Sequence, residues 1–225
     1  MKKMVSLIKN IISSLRMKYK IKTRDINVNL GCGLSVCKGW VNIDGSSIML
    51  IARLPRTIKH LFYELGGAKN SFSFDEYCDI LERNNFVFQN LKYGIPYNNE
   101  SVKYVYSSHF LEHLYLNDAR KLFAEIYRVL KPGGAARIVV PDLDHIISLF
   151  NEGKTVEALK YFYGEDKVDE FTSHKYNYNF IVLKNELASA GFRFVNKCTF
   201  KNGSLPDLEY LDTRQKGSLF VEAVK

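Results

Sequence analysis

Two histidines and a glutamate lie close together in the pentapeptide HFLEH, which begins at His109 and ends at His113. Imidazole titrates near neutral pH, so either histidine could remove a proton from a reacting hydroxyl. The same letters fit H-x-x-E-H, an inverted zinc-peptidase motif in which both histidines bind zinc and Glu112 is the base. A clear third ligand on a following helix is absent, so we predict catalytic roles for His109 and His113 and no bound metal. The alternative is that both histidines only cap and pack the start of a helix.

A glycine turn and an acid form a second group of candidate functional residues. Ile26, Val28 and Leu30 predict a short buried strand that ends at the turn Gly31-Cys32-Gly33. Glycine permits a positive φ and lets the backbone approach a ligand closely. The segment from Trp40 to Asp44 predicts a second strand, which would place the Asp44 carboxylate at the same edge of a parallel sheet.

These residues together could hold a nucleoside, with backbone N–H groups for a polar tail and Asp44 for the ribose hydroxyls. The dinucleotide fingerprint, however, has three glycines and an acid about 20 residues further on. This chain has two glycines, and Asp44 follows Gly33 after only 11 residues. A tight turn without any ligand is therefore the alternative.

The elements that must position these residues follow from apolar periodicity. Ser101 to Ser108 predicts a strand, His109 to Leu130 a helix that ends at Lys131-Pro132-Gly133-Gly134, and Ala136 to Val140 a further strand. This order predicts a βαβ unit with parallel strands, and Asp142 and His145 would follow it at the same edge of the sheet. Further helices are predicted at 48–65 (with a break near Pro55), 74–83, 143–163 and 180–190, and further strands at 86–88, 192–200 and 218–224.

Length and composition predict one α/β domain with an ordinary globular composition. The sequence contains no apolar run of the roughly 20 residues that cross a bilayer. Its four cysteines lack C-x-x-C spacing, which disfavours a disulfide framework and favours a cytoplasmic protein. We predict a single domain over residues 25–225, with insertions near 46–85 and 150–180 that cover a substrate pocket or are merely structural.

The net charge of +8 is concentrated at the amino end. Residues 1–24 contain eight basic residues and no acid, so the other 24 basic residues balance the 24 acids. A neutral body argues against nucleic acid as a partner. Residues 4–19 also have the apolar spacing of an amphipathic helix. This helix would pack on the domain or on a second subunit, or would lie peripherally on the inner face of an anionic membrane. The oligomeric state stays open.

Five segments, LGCG, GWVNID, SSHFLEH, LKPGG and VVPD, occur in this order between residues 30 and 142. Together they resemble the class I S-adenosylmethionine-dependent methyltransferases, and most of all the type-11 branch, which includes many enzymes of cell-surface polysaccharides. The resemblance covers about residues 26–150, and the ending DTRQKGSLFVEAVK is similar too. It implies a Rossmann-like, seven-stranded, mostly parallel sheet with helices on both faces and an antiparallel last strand.

The resemblance also implies roles for residues near the first two strands. Gly31 and Gly33 match the loop beside the methionine moiety of S-adenosyl-L-methionine, and Cys32 between them is predicted to contribute to the same site. Asp44 matches the acid that binds the ribose hydroxyls, and its neighbour Gly45 is predicted to bind cofactor as well.

Further roles are implied for two later segments. Asn90 and Leu91 match the pair at the adenine edge, where an aspartate is more common than the asparagine found here. Ser107, Ser108 and His109 match the strand end under the methionine and the reactive methyl group.

The implied activity is methyl transfer to a small-molecule or glycan acceptor, with O-methylation in cell-envelope polysaccharide biosynthesis as the preferred case. A quinone-like or lipid-linked acceptor is the alternative, which the basic N-terminal segment would suit. A non-catalytic cofactor-binding module and the zinc peptidase of His109, Glu112 and His113 are the other classes considered, and a metal at Glu112 and His113 within a methyltransferase is a lesser possibility. Tyr161, Tyr163, Tyr176 and Tyr178 would line the acceptor pocket or form core.

Overall fold

The structure is a computed structural model that describes residues 26–164 and 172–225 of the chain. Seven strands form one sheet in the spatial order β3-β2-β1-β4-β5-β7-β6. Neighbouring strands from β3 to β5 are parallel, whereas β7 is antiparallel to both β5 and β6. This confirms the predicted sheet. The strands are β1 (Ile26–Leu30), β2 (Val41–Asp44), β3 (Asn85–Phe88), β4 (Val102–Ser108), β5 (Leu130–Pro141), β6 (Phe194–Cys198) and β7 (Ser218–Val224).

The helices occupy most of the segments that periodicity predicts. The expected break near Pro55 is confirmed, because one helix ends at Ile51 and the next begins directly after the proline. The predicted helix over 143–163 is two helices, with Gly153 at a positive φ between them. The described α-helices are α1 (Ile48–Ile51), α2 (Arg56–Leu65), α3 (Phe74–Arg83), α4 (Leu116–Val129), α5 (Leu143–Asn151), α6 (Thr155–Tyr163), α7 (Phe180–Ser189) and α8 (Leu208–Leu211).

The core lies on both faces of the sheet, since successive strand residues point in opposite directions. Val105 belongs to a cluster that also contains side chains of α4 and α7, whereas the next residue, Tyr106, packs in a second cluster with Trp40 and α8. The indole N–H of Trp40 donates a hydrogen bond of 2.9 Å to Asp207 Oδ2, which ties the start of β2 to the loop before α8.

Arg137 is a charged residue in the centre of this apolar sheet. Its side chain is fully buried on β5, where it donates two hydrogen bonds to Asp212 and one to Glu222. It also donates to the carbonyl oxygens of Thr199 and Asn202. The cluster links β5 and β7 to the segments before and after α8. Each buried charge in it is paired with an opposite charge, which offsets the cost of burial.

The helix predicted to begin at His109 is a correction to the sequence-based expectation. His109 has φ of 49°, which an α-helix cannot contain, and its N–H continues the sheet by donating to Val139 O at 2.9 Å. A short 3₁₀ turn at Leu111–His113 follows, and α4 begins only at Leu116. Leu111, which was counted among the apolar residues of the predicted helix, is buried in the core by this turn.

The segment LKPGG is the second correction. The helix ends at Val129, one residue before the predicted Leu130, and β5 begins at Leu130, six residues before the predicted Ala136. Gly133 has φ of 74° and its N–H donates to Lys225 O at 2.9 Å, so the turn is built into the strand.

Residues 1–24, with their predicted amphipathic helix, lie outside the described residues. In the part of the chain that the structure describes, no helix combines the length and apolar character needed to cross a membrane.

Candidate functional site

The end of β2 closes on the turn that follows β1. The Asp44 carboxylate accepts a hydrogen bond from Gly33 N at 3.0 Å through Oδ2 and one from Ser46 N at 2.6 Å through Oδ1. Gly31 N donates to Ile43 O at 2.8 Å, which keeps the two strand ends in register. Each carboxylate oxygen has a further lone pair available for a ligand. The structure thus brings together the glycine turn and Asp44.

The two glycines of the turn differ in their surroundings. Gly31 has φ of 64°, and a Cβ there would lie 2.1 Å from Cγ of Phe110. Only glycine fits this position, because Phe110 packs directly over the backbone. At Gly33 the described chain has no atom within 4 Å of a Cβ position, so one side of the turn is open to a ligand.

Cys32, between these glycines, is buried. Burial and the neighbouring Asp44 carboxylate raise the pKa of the Cys32 thiol well above its usual value. The thiol is therefore protonated at neutral pH and is a poor nucleophile, so its place in the site is that of a packing residue.

The predicted adenine-edge residues follow β3. Gly45 lies against Asn90, since a Cβ on the glycine would stand 3.5 Å from Asn90 Cα. Asn90 Oδ1 accepts a hydrogen bond of 3.0 Å from Lys92 N and caps a short 3₁₀ turn, while Leu91 is buried. Because β3 is the neighbour of β2, this segment lies beside Asp44. Gln89 N donates a hydrogen bond of 3.0 Å to Asp44 O.

The end of β4 carries the next predicted residues. Ser107 is 1% exposed and donates from its hydroxyl to Leu30 O at 3.2 Å, so its side chain joins β4 to β1. Ser108 ends the strand and is half-buried. His109 follows in the left-handed conformation, with φ of 49°.

The His109 ring lies between two polar side chains. Nε2 is 3.0 Å from Ser218 Oγ on β7, and Nδ1 is 3.4 Å from Glu112 Oε1. The second contact has the distance of an ion pair but not the alignment of a hydrogen bond, because Glu112 Oε1 has no hydrogen-bond partner in the described residues. His109 is thus held at the carboxyl end of β4 with a carboxylate beside one ring nitrogen.

His113 does not lie in an α-helix with His109, contrary to the helix predicted from His109 to Leu130. The 3₁₀ turn instead brings both rings to the same carboxylate, with His113 Nε2 4.0 Å from Glu112 Oε1. A residue that sequence reasoning missed completes the group: His174 packs edge-on against His113, with ring centroids 5.1 Å apart. Burial lowers the pKa of His174 below its usual value, against the opposing effect of Glu112.

Asp142 and His145 lie elsewhere at this end of the sheet. Asp142 caps the start of α5 through Asp144 N, and His145 packs edge-on against Tyr161 at 5.3 Å. Tyr178 is fully buried, and burial raises the pKa of its phenol. Tyr176 packs edge-on against it at 5.0 Å. Tyr178 therefore belongs to the core rather than to an acceptor surface.

Residues 56–138 match the family model for a methyltransferase domain. This range runs from α2 into β5 and includes the end of β4 with His109. No curated protein sequence matches the chain.

Several solved structures share the fold. An S-adenosylmethionine-dependent methyltransferase from Archaeoglobus fulgidus is 17% identical with a TM-score of 0.52, and the match covers 98% of this chain and 94% of the other. Human N-acetylserotonin methyltransferase, solved with S-adenosylmethionine, is 16% identical with a TM-score of 0.51. That match covers 94% of this chain but 50% of the human protein, so this chain spans half of its length.

The sheet order, with β7 inserted antiparallel between β5 and β6, defines the fold of the class I S-adenosylmethionine-dependent methyltransferases. The family match adds evidence of a methyltransferase domain over residues 56–138, which a shared fold alone does not give. The match over residues 56–138, together with the shared fold, supports methyl transfer as the activity of this chain and S-adenosyl-L-methionine as the methyl donor.

Proposed function

We propose that this methyltransferase methylates a hydroxyl group of a small-molecule or glycan acceptor, in the O-methylation of cell-envelope polysaccharide. The observation that carries the proposal is the placement of His109 at the carboxyl end of β4, with Glu112 Oε1 3.4 Å from Nδ1. A hydroxyl nucleophile must lose its proton, and a histidine beside a carboxylate is suited to accept it. The glycan acceptor rests on the sequence resemblance alone.

The residues at the ends of β1 and β2 fit the cofactor. Asp44 is oriented by Gly33 N and Ser46 N and keeps lone pairs for two ribose hydroxyls. The open side of Gly33 leaves room for the methionine moiety, and Asn90 with the buried Leu91 would border the adenine. The buried Cys32 packs within the glycine turn, and Gly45, which has no side chain, leaves space beside Asn90.

S-adenosyl-L-methionine, when bound, supplies a methyl group on a positively charged sulfur, so the chain need not activate the methyl donor. The task left to the protein is to place the acceptor hydroxyl and to take its proton. In this proposal the acceptor hydroxyl takes the place of Ser218 Oγ at His109 Nε2, which accepts the proton, and Glu112 beside Nδ1 stabilises the imidazolium that forms. Placement of the two reactants in line supplies much of the remaining rate.

A quinone-like or lipid-linked acceptor is the second candidate. The eight basic residues without an acid in residues 1–24 favour it, since such a segment binds anionic lipid surfaces. We accordingly propose a cytoplasmic protein that attaches peripherally to the inner face of the membrane, with no nucleic-acid partner.

The test combines binding and transfer. Calorimetry with S-adenosylmethionine and its demethylated product measures cofactor binding in the full chain, and methyl-labelled cofactor is then offered with sugars and glycan fragments, with quinols, and with amines. We expect label in an ether of a sugar hydroxyl. Label in quinols instead of sugars would contradict a glycan acceptor and would support the quinone-like acceptor. Cofactor binding with label found only in amines would overturn hydroxyl methylation.

A further inference from the structure

Glu112 is a buried carboxylate beside His109 and His113. Its side chain is 1% exposed, and in residues 26–164 and 172–225 neither Oε1 nor Oε2 has a hydrogen-bond partner. A buried unpaired carboxylate is costly unless a cation or a proton neutralises it. The Glu112 carboxylate therefore needs a positively charged partner. Among the described residues no side chain donates a hydrogen bond to it.

Two imidazoles converge on this carboxylate. One ligand atom from each of Glu112, His113 and His174 lies within 4.8 Å of the other two. The ligands of a tetrahedral zinc ion lie roughly 3.4 Å apart, so small side-chain rotations close the site. His174 reaches it from a distant segment, because Lys175 N and Tyr176 N both donate to Glu112 O, at 2.7 and 3.2 Å.

Backbone carbonyls fix the protonation pattern of both rings. His113 Nδ1 lies 3.3 Å from Ser173 O, and His174 Nδ1 lies 2.9 Å from Tyr161 O. A carbonyl oxygen can only accept, so each Nδ1 carries the proton and each Nε2 keeps a free lone pair. Metal-binding histidines are oriented in this way by carbonyl or carboxylate partners.

We propose that Glu112, His113 and His174 bind one divalent transition-metal ion, with zinc as the best fit, beside His109. Two imidazole nitrogens and one carboxylate oxygen are the donor set that zinc accepts, whereas magnesium and calcium prefer oxygen ligands. Three protein ligands leave a coordination position open. If the proposed hydroxyl methylation is correct, an acceptor hydroxyl in that position becomes more acidic; this extension rests on the proposed function.

The test measures metal directly in the full chain. Apoprotein is titrated calorimetrically with zinc sulfate and, separately, with magnesium chloride, and zinc per chain is counted after dialysis. We expect one zinc per chain, a zinc-dependent rise in the unfolding temperature, and no magnesium binding. Glu112→Gln and His174→Ala should each weaken zinc binding at least about 100-fold, since loss of even an outer-sphere partner weakens binding 10- to 100-fold.

His60→Gln is the matched control, because His60 lies on α2 and is exposed. It should bind zinc like the wild type. Absence of zinc binding in the wild type, or full binding in both ligand variants, would overturn the proposal. Circular dichroism and calorimetry with S-adenosylmethionine show that each variant is folded. They also separate a missing metal site from a missing cofactor site, because zinc binding and cofactor binding are measured independently.

Discussion

The carboxylate of Asp44 and the backbone N–H of Gly33 are joined by a hydrogen bond of 3.0 Å that closes the end of β2 on the turn after β1. Ser46 N binds the other carboxylate oxygen at 2.6 Å. One side chain thereby orders both loops at this edge of the sheet. A ligand that uses Asp44 finds the carboxylate already oriented, which reduces the entropy lost on binding.

Asp44→Asn should weaken binding of S-adenosylmethionine by roughly 10- to 100-fold, because hydrogen bonds to a charged group contribute about 1.5–3 kcal/mol. Calorimetry measures the loss. Asp79→Asn is the control, since Asp79 is an exposed carboxylate on α3 that pairs with Arg83. Equal affinity of the two variants would exclude Asp44 from the cofactor site.

Gly31→Ala tests the contact with Phe110. An alanine methyl there would overlap the aromatic ring and would also adopt a positive φ, whereas Gly39 has φ of 87° with no described atom within 4 Å of its Cβ position. Gly39→Ala should lower the unfolding free energy by about 1–2 kcal/mol through backbone strain. Gly31→Ala should lose a further 1–3 kcal/mol or so through overpacking. Urea unfolding compares the pair, and equal losses would show that Phe110 moves freely.

His109→Gln should lower the rate of methyl transfer by about 10²–10⁴-fold while S-adenosylmethionine still binds, because a general base contributes that much. Single-turnover assays and calorimetry separate the two effects. His60→Gln serves again as the histidine control. If the glutamine variant retains the wild-type rate, His109 does not take the proton.

The pH dependence of stability should contain a contribution from Glu125. Burial alone would raise the pKa of this carboxyl, but hydrogen bonds from Arg128 and Ile95 N hold it below its usual value of 4.5. A depressed pKa gives stability that is present above pH 4.5 and is lost as the pH falls through the folded-state value. Glu125→Gln should therefore be less stable than the wild type at pH 7, and the difference should shrink below pH 4.5.

Urea unfolding between about pH 3 and pH 7, in steps of about one pH unit, measures this difference. Glu64→Gln is the control, since Glu64 is exposed and pairs with Lys69 at 3.3 Å. Its difference from the wild type should stay small at every pH. A Glu125→Gln difference that is constant with pH would show that the charge of Glu125 does not stabilise the segment around Ile95.

Sequence periodicity predicted the strands because β1 and β4 have apolar residues at the positions that the core buries. The arrangement of the strands in one sheet was implied by the resemblance to methyltransferases. It misplaced the start of α4 because Leu111 and Leu114 happen to have helical spacing, whereas the backbone at His109 has a positive φ that residue type does not reveal. The glycine turn and Asp44 were predictable, since both lie at strand ends of a parallel sheet.

Contacts between distant segments were not predictable in the same way. His174 approaches Glu112 through backbone hydrogen bonds from the two residues that follow it, and no local pattern encodes these. Arg137 lies in β5 among apolar residues, and its partner Asp212 is 75 positions later in the chain. Such pairs depend on how loops return to the sheet, which spacing along one element does not determine.

Trp40 is the single tryptophan of the chain, and its buried indole contacts both the sheet and Asp207. The protein therefore carries its own fluorophore at one known location. Excitation of that indole reports when the start of β2 separates from the loop before α8, without any label. A shift of its emission to longer wavelength marks the entry of water at that junction.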